Sequence, residues 1–160
     1  MASAKLGAAE TGADPALTGL AALSVDASAD LEPWVERLGL AAAARDAVVR
    51  AARIAPELVE RLRGDLRASE IHALLSPEPP EALALALGLG ARAEPVLDYL
   101  ARLSGVRLEI TGDDLLAAGV AQSPAFGRAL AETLARKLDG DLSGRDEELA
   151  AALEIARGEA

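Results

Sequence analysis

Aromatic side chains and methionine are scarce in a chain that is 51% apolar: Phe, Tyr, Trp and Met occur once each, and Ala, Leu and Val supply nearly all the rest. Interiors pack to crystal-like density, so small side chains can close a core only if the backbones come near one another. Ala and Leu are also strong helix formers. Together these facts predict thin, close-packed helices, in one compact domain or an elongated stack, with enough apolar material for a core.

Proline and glycine divide the chain into roughly nine short helices. Asp14-Pro15 offers an N-cap and a first-turn proline for a helix over 15–23. A second helix covers 31–38 and stops at Gly39. From Ala42 the apolar positions Val48, Ala52, Ala55, Val59 and Leu62 recur at helical spacing, and Pro56 is expected to start a new helix within that run. Helices follow at 69–75 and, after Pro79-Pro80-Glu81, through the alternating Ala and Leu of 82–87. That alternation imitates a strand, but neither residue is β-branched and both are apolar, so a helix buried on all sides is expected. Gly88-Leu89-Gly90 ends it. Pro95 is expected to open the next helix, with Val96, Leu100 and Leu103 on one face. The period-two stretch 106–110 has no second strand to pair with and reads as an extended connector. Helices over 113–118, 124–138 and 144–156 complete the set, the last with Ser143 as N-cap and Asp146 three residues on.

The absence of cysteine removes disulfides, thiolate metal sites and Cys nucleophiles, and one histidine cannot assemble a multi-His metal centre. No secretory signal is legible before Asp14, and Arg or Glu interrupts every long apolar run, so no membrane span and a cytoplasmic location are expected. The net charge of −10 opposes nucleic-acid binding as a whole. It is distributed unevenly: Arg45, Arg50, Arg53, Arg61, Arg63 and Arg67 fall within 45–67, whereas 139–160 carries seven acids against Arg145 and Arg157.

The most informative stretch is 110–127. Thr111 or Gly112 caps a short helix with Asp113 and Asp114 in its positive first turn, and Gly119 suits the left-handed position that ends it. Ser123 and Pro124 cap and start the next helix, and Gly127 is expected to admit a close backbone approach. Two short helices joined this way are expected to present backbone amides to a phosphate. Ile110, Gly112, Asp114, Leu115, Gly119, Pro124, Gly127 and Leu130 match the pattern ItGxDLlxxGxxpGPxxGxxL. Upstream, 67–75 is similar to pSeiyxLL, followed by a Glu-Ala-Leu helix and Tyr99-Leu100. Downstream, Arg136-Lys137-Leu138-Asp139-Gly140-Asp141 and 145–149 are similar to rKLdGexxxReeEL.

These patterns resemble the C-terminal part of bacterial CCA-adding tRNA nucleotidyltransferases, the poly(A) polymerase family, over about residues 31–157. The resemblance implies an all-α, elongated array like the neck, body and tail of class II tRNA nucleotidyltransferases: 1–30 an unassigned helical segment, 31–105 a body-like domain, 106–160 a helix-turn-helix with an acidic tail helix. It implies a partner, the tRNA acceptor arm, held for tRNA 3′-end processing, and a catalytic head acting covalently or in trans. The head's Gly-Gly-x-Val-Arg-Asp strand and paired carboxylates are not found, so the chain alone is expected to be inactive and to hold no cofactor; magnesium (Mg2+) and CTP or ATP are implied for the head. Ser123 replaces the Gly of Gly-Pro, and Phe126 a branched aliphatic residue.

The RNA contacts expected are Arg50, Arg53, Arg61, Arg63, Gly112, Gly119, Ser123, Gly127 and Arg128, the plainer alternative for the arginines being a solvated helix face. Asp139-Gly140-Asp141 has the Asp-x-Asp form of a two-metal site but lies in a turn between helices, where such residues are ordinary. His72 reads as a half-exposed helix residue, and Trp34 as an anchor between helices or a stacking surface. Two other functions compete: a non-enzymatic helical adaptor binding protein through its acidic tail and Ala/Leu surfaces, and a helix-hairpin-helix-like DNA module at 119–127.

Overall fold

The computed structural model describes residues 10–25, 31–121 and 124–158, and among them the chain is all helical, with no strand. Nine α-helices lie wholly within the described residues, in order: α1 Pro15–Leu23, α2 Leu31–Glu36, α3 Ala42–Arg61, α4 Ala68–Leu75, α5 Pro80–Gly88, α6 Ala93–Ala101, α7 Gly112–Ala117, α8 Ala125–Leu138 and α9 Arg145–Gly158, with a 3-10 turn at Leu103–Gly105. The apolar periodicity and helix punctuation of the sequence therefore produce the expected all-α architecture.

Helix α5 is the axis of the larger core. Glu81 and the five residues Ala82 to Ala86 are all buried, and the helix packs against α3 and α1. Alternating Ala and Leu give it small residues where a neighbour comes close and large ones that fill the gaps between. Val48, Ala51, Ala55 and Leu58 of α3 are fully buried in the same core, as are Val35, Leu62, Leu75 and Val96 from the surrounding elements. Burying each such Val or Leu contributes about 1.5–3 kcal/mol relative to exposure.

Helix α1 belongs to this core. Ala21 is fully buried in it, Asp14 caps the helix by accepting from the amides of Ala16 and Leu17, and the Asp14 N–H donates to the buried Glu81 carboxylate at 3.1 Å. A smaller cluster joins Ile110, Leu115, Phe126 and Ala152, with Leu108, Val120, Leu130, Leu149 and Leu153 packed around them. It is built by the connector, α7, α8 and α9. Helix α8 links the two clusters, because it packs on α4 and its Leu138 reaches the larger core.

Several boundaries differ from expectation. Pro56 does not start a helix; it lies within α3. Its side is exposed while Ala55 and Leu58 on the other face are buried, so continuous burial on one face offsets the hydrogen bond lost on the other. Pro95 sits in the first turn of α6 rather than at its opening, a position where its missing N–H has no intrahelical acceptor in any case. Helix α2 ends at Glu36, followed by a turn closed by Gly39 at φ 66°. The cap of α9 uses Glu147, not Asp146: Glu147 accepts from the Ser143 N–H at 2.7 Å and from its hydroxyl at 3.3 Å. Gly127 is exposed, and a Cβ there would meet nothing within 4 Å, so no close approach within the described chain requires it.

Candidate nucleic-acid interface

Arg50, Arg53 and Arg61 project from α3, and Arg63 from the turn after it. Each meets a carboxylate. Arg50 grips Glu78, in the loop before α5, with two hydrogen bonds of 2.7 and 2.5 Å, and the Glu78 side chain is only 4% exposed. The hydrogen bond to Glu78, followed by its charge, raises the Arg50 pKa above the ordinary arginine value. Arg53 pairs with Glu32 of α2 at 2.8 Å, Arg61 with Glu57 at 3.4 Å and Arg63 with Glu60 at 2.8 Å. These last three pairs are exposed on both sides, where an ion pair contributes about 0–1 kcal/mol and a competing anion displaces the carboxylate readily. Arg50 is instead a strut between α3 and the α4–α5 loop.

An open groove of about 370 Å³ between α2 and α3 is lined by Arg45, Arg50 and Arg53 together with Glu32, Glu36 and Asp46. Arg61 lies eleven residues beyond Arg50, about 16 Å along the helix axis, and neither it nor Arg63 lines that groove. The cluster is thus a row along α3 rather than one pocket.

The α7–α8 corner is organised by its caps. The Asp114 carboxylate accepts from the Thr111 N–H at 2.7 Å and its hydroxyl at 3.2 Å, and its other oxygen takes Arg145 of α9. The Thr111 amide hydrogen bond, and then the charge of Arg145, hold the Asp114 pKa below the usual carboxylate range. Gly119, at φ 81°, closes α7: its N–H donates to Leu116 and that of Val120 to Leu115. Arg157 donates to the Ala118 carbonyl at 3.3 Å. A Cβ on Gly112 would stand 3.7 Å from the Phe126 ring, an ordinary separation. With Asp113 and Asp114 in its first turn, the start of α7 is electrostatically filled. Helix α8 has no acid in its first turn, and Arg128 is exposed on it. Ser123 lies outside the described residues. The arginine row and this corner belong to different apolar clusters.

The polar residues of the three sequence patterns are joined to one another. Asp139 accepts from the Ser69 N–H and hydroxyl, both at 2.8 Å, and pairs with Arg67 at 3.3 Å, so it caps α4 from the turn after α8. That is its role in the Asp139-Gly140-Asp141 turn, and no group of metal-ligating side chains occurs among the described residues. Glu148 of α9 is fully buried; it accepts from Lys137 Nζ at 2.5 Å and from the Glu109 N–H at 2.6 Å. The Lys137 pKa is raised chiefly by its hydrogen bond to Glu148. Sequence reasoning misses the burial of Glu148, although its spacing to the buried Ala151, Ala152 and Ala156 places it on the inner face of α9.

His72 on α4 meets Tyr99 on α6 edge to face, ring centroids 6.0 Å apart. Burial, and secondarily the charge of Arg107, lower the His72 pKa. Trp34 is partly buried and packs against the larger core. No described helix is long and apolar enough to cross a membrane.

No protein-family model and no solved structure matches the chain. Among curated proteins it is similar to the A-adding tRNA nucleotidyltransferase of Geobacter sulfurreducens, with 33% identity over 98 residues covering 59% of this chain. The match spans only 11% of that protein's length. In sequence, then, this chain contains a region related to a tRNA nucleotidyltransferase.

Proposed function

We propose that the chain is a tRNA-binding helical portion of a tRNA nucleotidyltransferase of the CCA-adding family, holding the acceptor arm while a separate head carries out nucleotide transfer with Mg2+ and CTP or ATP. The likeness to the A-adding enzyme is the observation that carries this reading. The exposed row of Arg53, Arg61 and Arg63 supports it, because each cation is held by an exposed carboxylate that a phosphate can replace. Recognition would be of A-form shape and backbone, as for duplex RNA readers generally. The start of α8, with Gly119, Gly127 and Arg128 around it, is the second surface assigned to the RNA.

A gel-shift titration with a tRNA minihelix tests the reading. Charge reversal at Arg53 and Arg61 together is expected to weaken binding and to lower the salt slope by about 2, one for each phosphate that is no longer neutralised. Unchanged affinity and slope would remove both arginines from the interface. No affinity of the wild type for the minihelix at physiological salt, together with a stable protein partner in pull-down, would favour the adaptor reading instead. Much of α9's alanine surface is already used, since Ala151, Ala152 and Ala156 are buried within the chain.

A further inference from the structure

Three side chains outside the acceptor-arm surfaces converge where α4, α6 and the connector meet. His72 and Tyr99 stand edge to face at an interplanar angle of 66°, and both are partly exposed. Neither the Tyr99 hydroxyl nor the His72 ring nitrogens hydrogen-bond to any described residue, yet no buried polar side-chain atom among the described residues lacks a partner. Their polar atoms therefore reach solvent. Arg107, just after the 3-10 turn Leu103–Gly105 that packs against both α4 and α6, is exposed. Its Nη1 donates to the carbonyls of Ser104 at 2.8 Å and Val106 at 2.7 Å, which fixes the guanidinium without neutralising it. Arg50, Arg53, Arg61, Arg63, Arg67, Arg92, Arg102 and Arg145 all meet carboxylates; Arg107 meets none among the described residues, and its Nε and Nη2 remain available.

We propose that His72, Tyr99 and Arg107 form a site for one unpaired RNA nucleotide, its phosphate on Arg107 and its base against the Tyr99–His72 pair. An oriented guanidinium with two open donors suits phosphate oxygens. An aromatic body whose polar tip is wet suits a base face, and such stacking accepts any base. The 3-10 turn whose Ser104 carbonyl holds Arg107 packs on both helices that carry the rings, which places the cation near the ring pair, and its charge acts on both rings. The site adds to the acceptor-arm reading without depending on it, because duplex RNA offers no free base face.

The experiment is fluorescence anisotropy of the full chain with a short unstructured RNA strand, and separately with a blunt minihelix assembled from two strands, so that it carries no loop of unpaired bases. Tyr99→Phe, which keeps the ring, is expected to bind the strand as the wild type does. Tyr99→Leu keeps apolar volume against the core and is expected to lose at least about fivefold in affinity for the strand, with minihelix affinity unchanged. Arg107→Gln is expected to weaken strand binding and lower its salt slope by about 1; being exposed, it keeps the site testable should Tyr99→Leu fail to fold. Inorganic phosphate displacing the strand from Tyr99→Leu and wild type at the same concentration would mean an anion site without stacking and overturn the proposal. So would a wild type that does not bind the strand, or wild-type affinity in both Tyr99→Leu and Arg107→Gln. A chain that binds the strand and not the minihelix would remove the acceptor-arm reading and leave this site standing; the converse would remove only this site.

Discussion

Replacing Glu148 by alanine is expected to be among the most damaging single changes in the smaller cluster. The carboxylate is fully buried and serves two donors on different elements, Lys137 of α8 and the Glu109 N–H of the connector. Alanine would leave the Lys137 side chain, itself only 20% exposed, with Glu109 at 3.6 Å as its remaining partner. It would also leave the Glu109 amide without its acceptor. Removing one member of a buried pair costs about 3–5 kcal/mol, of which an unsatisfied amide accounts for roughly 1–3 kcal/mol. For a chain of this size each kcal/mol moves Tm by about 2–4 °C, so Glu148→Ala is expected to lower Tm by about 6–20 °C. Glu148→Gln retains a carbonyl for the Glu109 amide and should lose about half as much. The double variant Lys137→Met, Glu148→Leu should recover the part of the loss due to Lys137, because a matched apolar pair carries no desolvation penalty, while the share of the unsatisfied Glu109 amide remains. Thermal and urea unfolding followed by circular dichroism would measure all four proteins. Stability of Glu148→Ala within about 1 kcal/mol of wild type would refute the reasoning, since a buried carboxylate with two donors cannot be idle. The pair also has a pH signature. The folded Lys137 pKa lies above the unfolded value, so its contribution is complete below about pH 10.4 and is lost as pH rises through the folded value.

Two further outcomes follow from the packing and the caps. Ala84 is fully buried and packs against Ala13, so Ala84→Leu should cost about 1–3 kcal/mol through overpacking, read as a lower urea midpoint with earlier proteolysis ahead of α1; a neutral result would mean that the small residues of α5 are not there for close approach. The depressed pKa of Asp114 means that its contribution is present above about pH 3.9, the unfolded value, and is lost as pH falls through the lower folded value. Asp114→Asn should flatten that part of the acid-stability profile, and an unchanged profile would show that the carboxylate contributes nothing through its charge.

Local chemistry is the legible part of the fold. Asp14-Pro15 as a helix start, Gly119 as a helix end and the buried Ala/Leu helix follow from backbone preference and apolar pattern, which neighbouring residues carry by themselves. At Pro56 local propensity ends a helix, whereas α3 is held together by Ala55 and Leu58 packing in the larger core, a tertiary fact. The candidate site is less legible. The arginine row is visible in sequence, but its carboxylate partners Glu32 and Glu78 lie 21 and 28 residues away, and no spacing rule links them. Asp139 has the sequence setting of an ordinary turn residue; that it caps α4 depends on the fold bringing residues 69 and 139 together.

The residues of the sequence patterns and the proposed RNA-binding arginines therefore have different roles. Ser69, Asp114, Lys137, Asp139, Arg145 and Glu148 direct their hydrogen bonds to each other and join α4, α7, α8 and α9. With their donors and acceptors occupied in this way, substituting them would disturb shape before it disturbed RNA binding directly. Arg53, Arg61 and Arg63 lie outside those patterns, in exposed pairs that are weak enough to exchange. A reader of A-form geometry needs both: a rigid helical frame that keeps cations at phosphate spacing, and cations that can leave their resting partners. In the proposed reading, the net charge of −10 would flatten the salt dependence that phosphate contacts bring, because added salt screens the long-range repulsion between the surrounding acids and the RNA as well as the attraction of each arginine for phosphate.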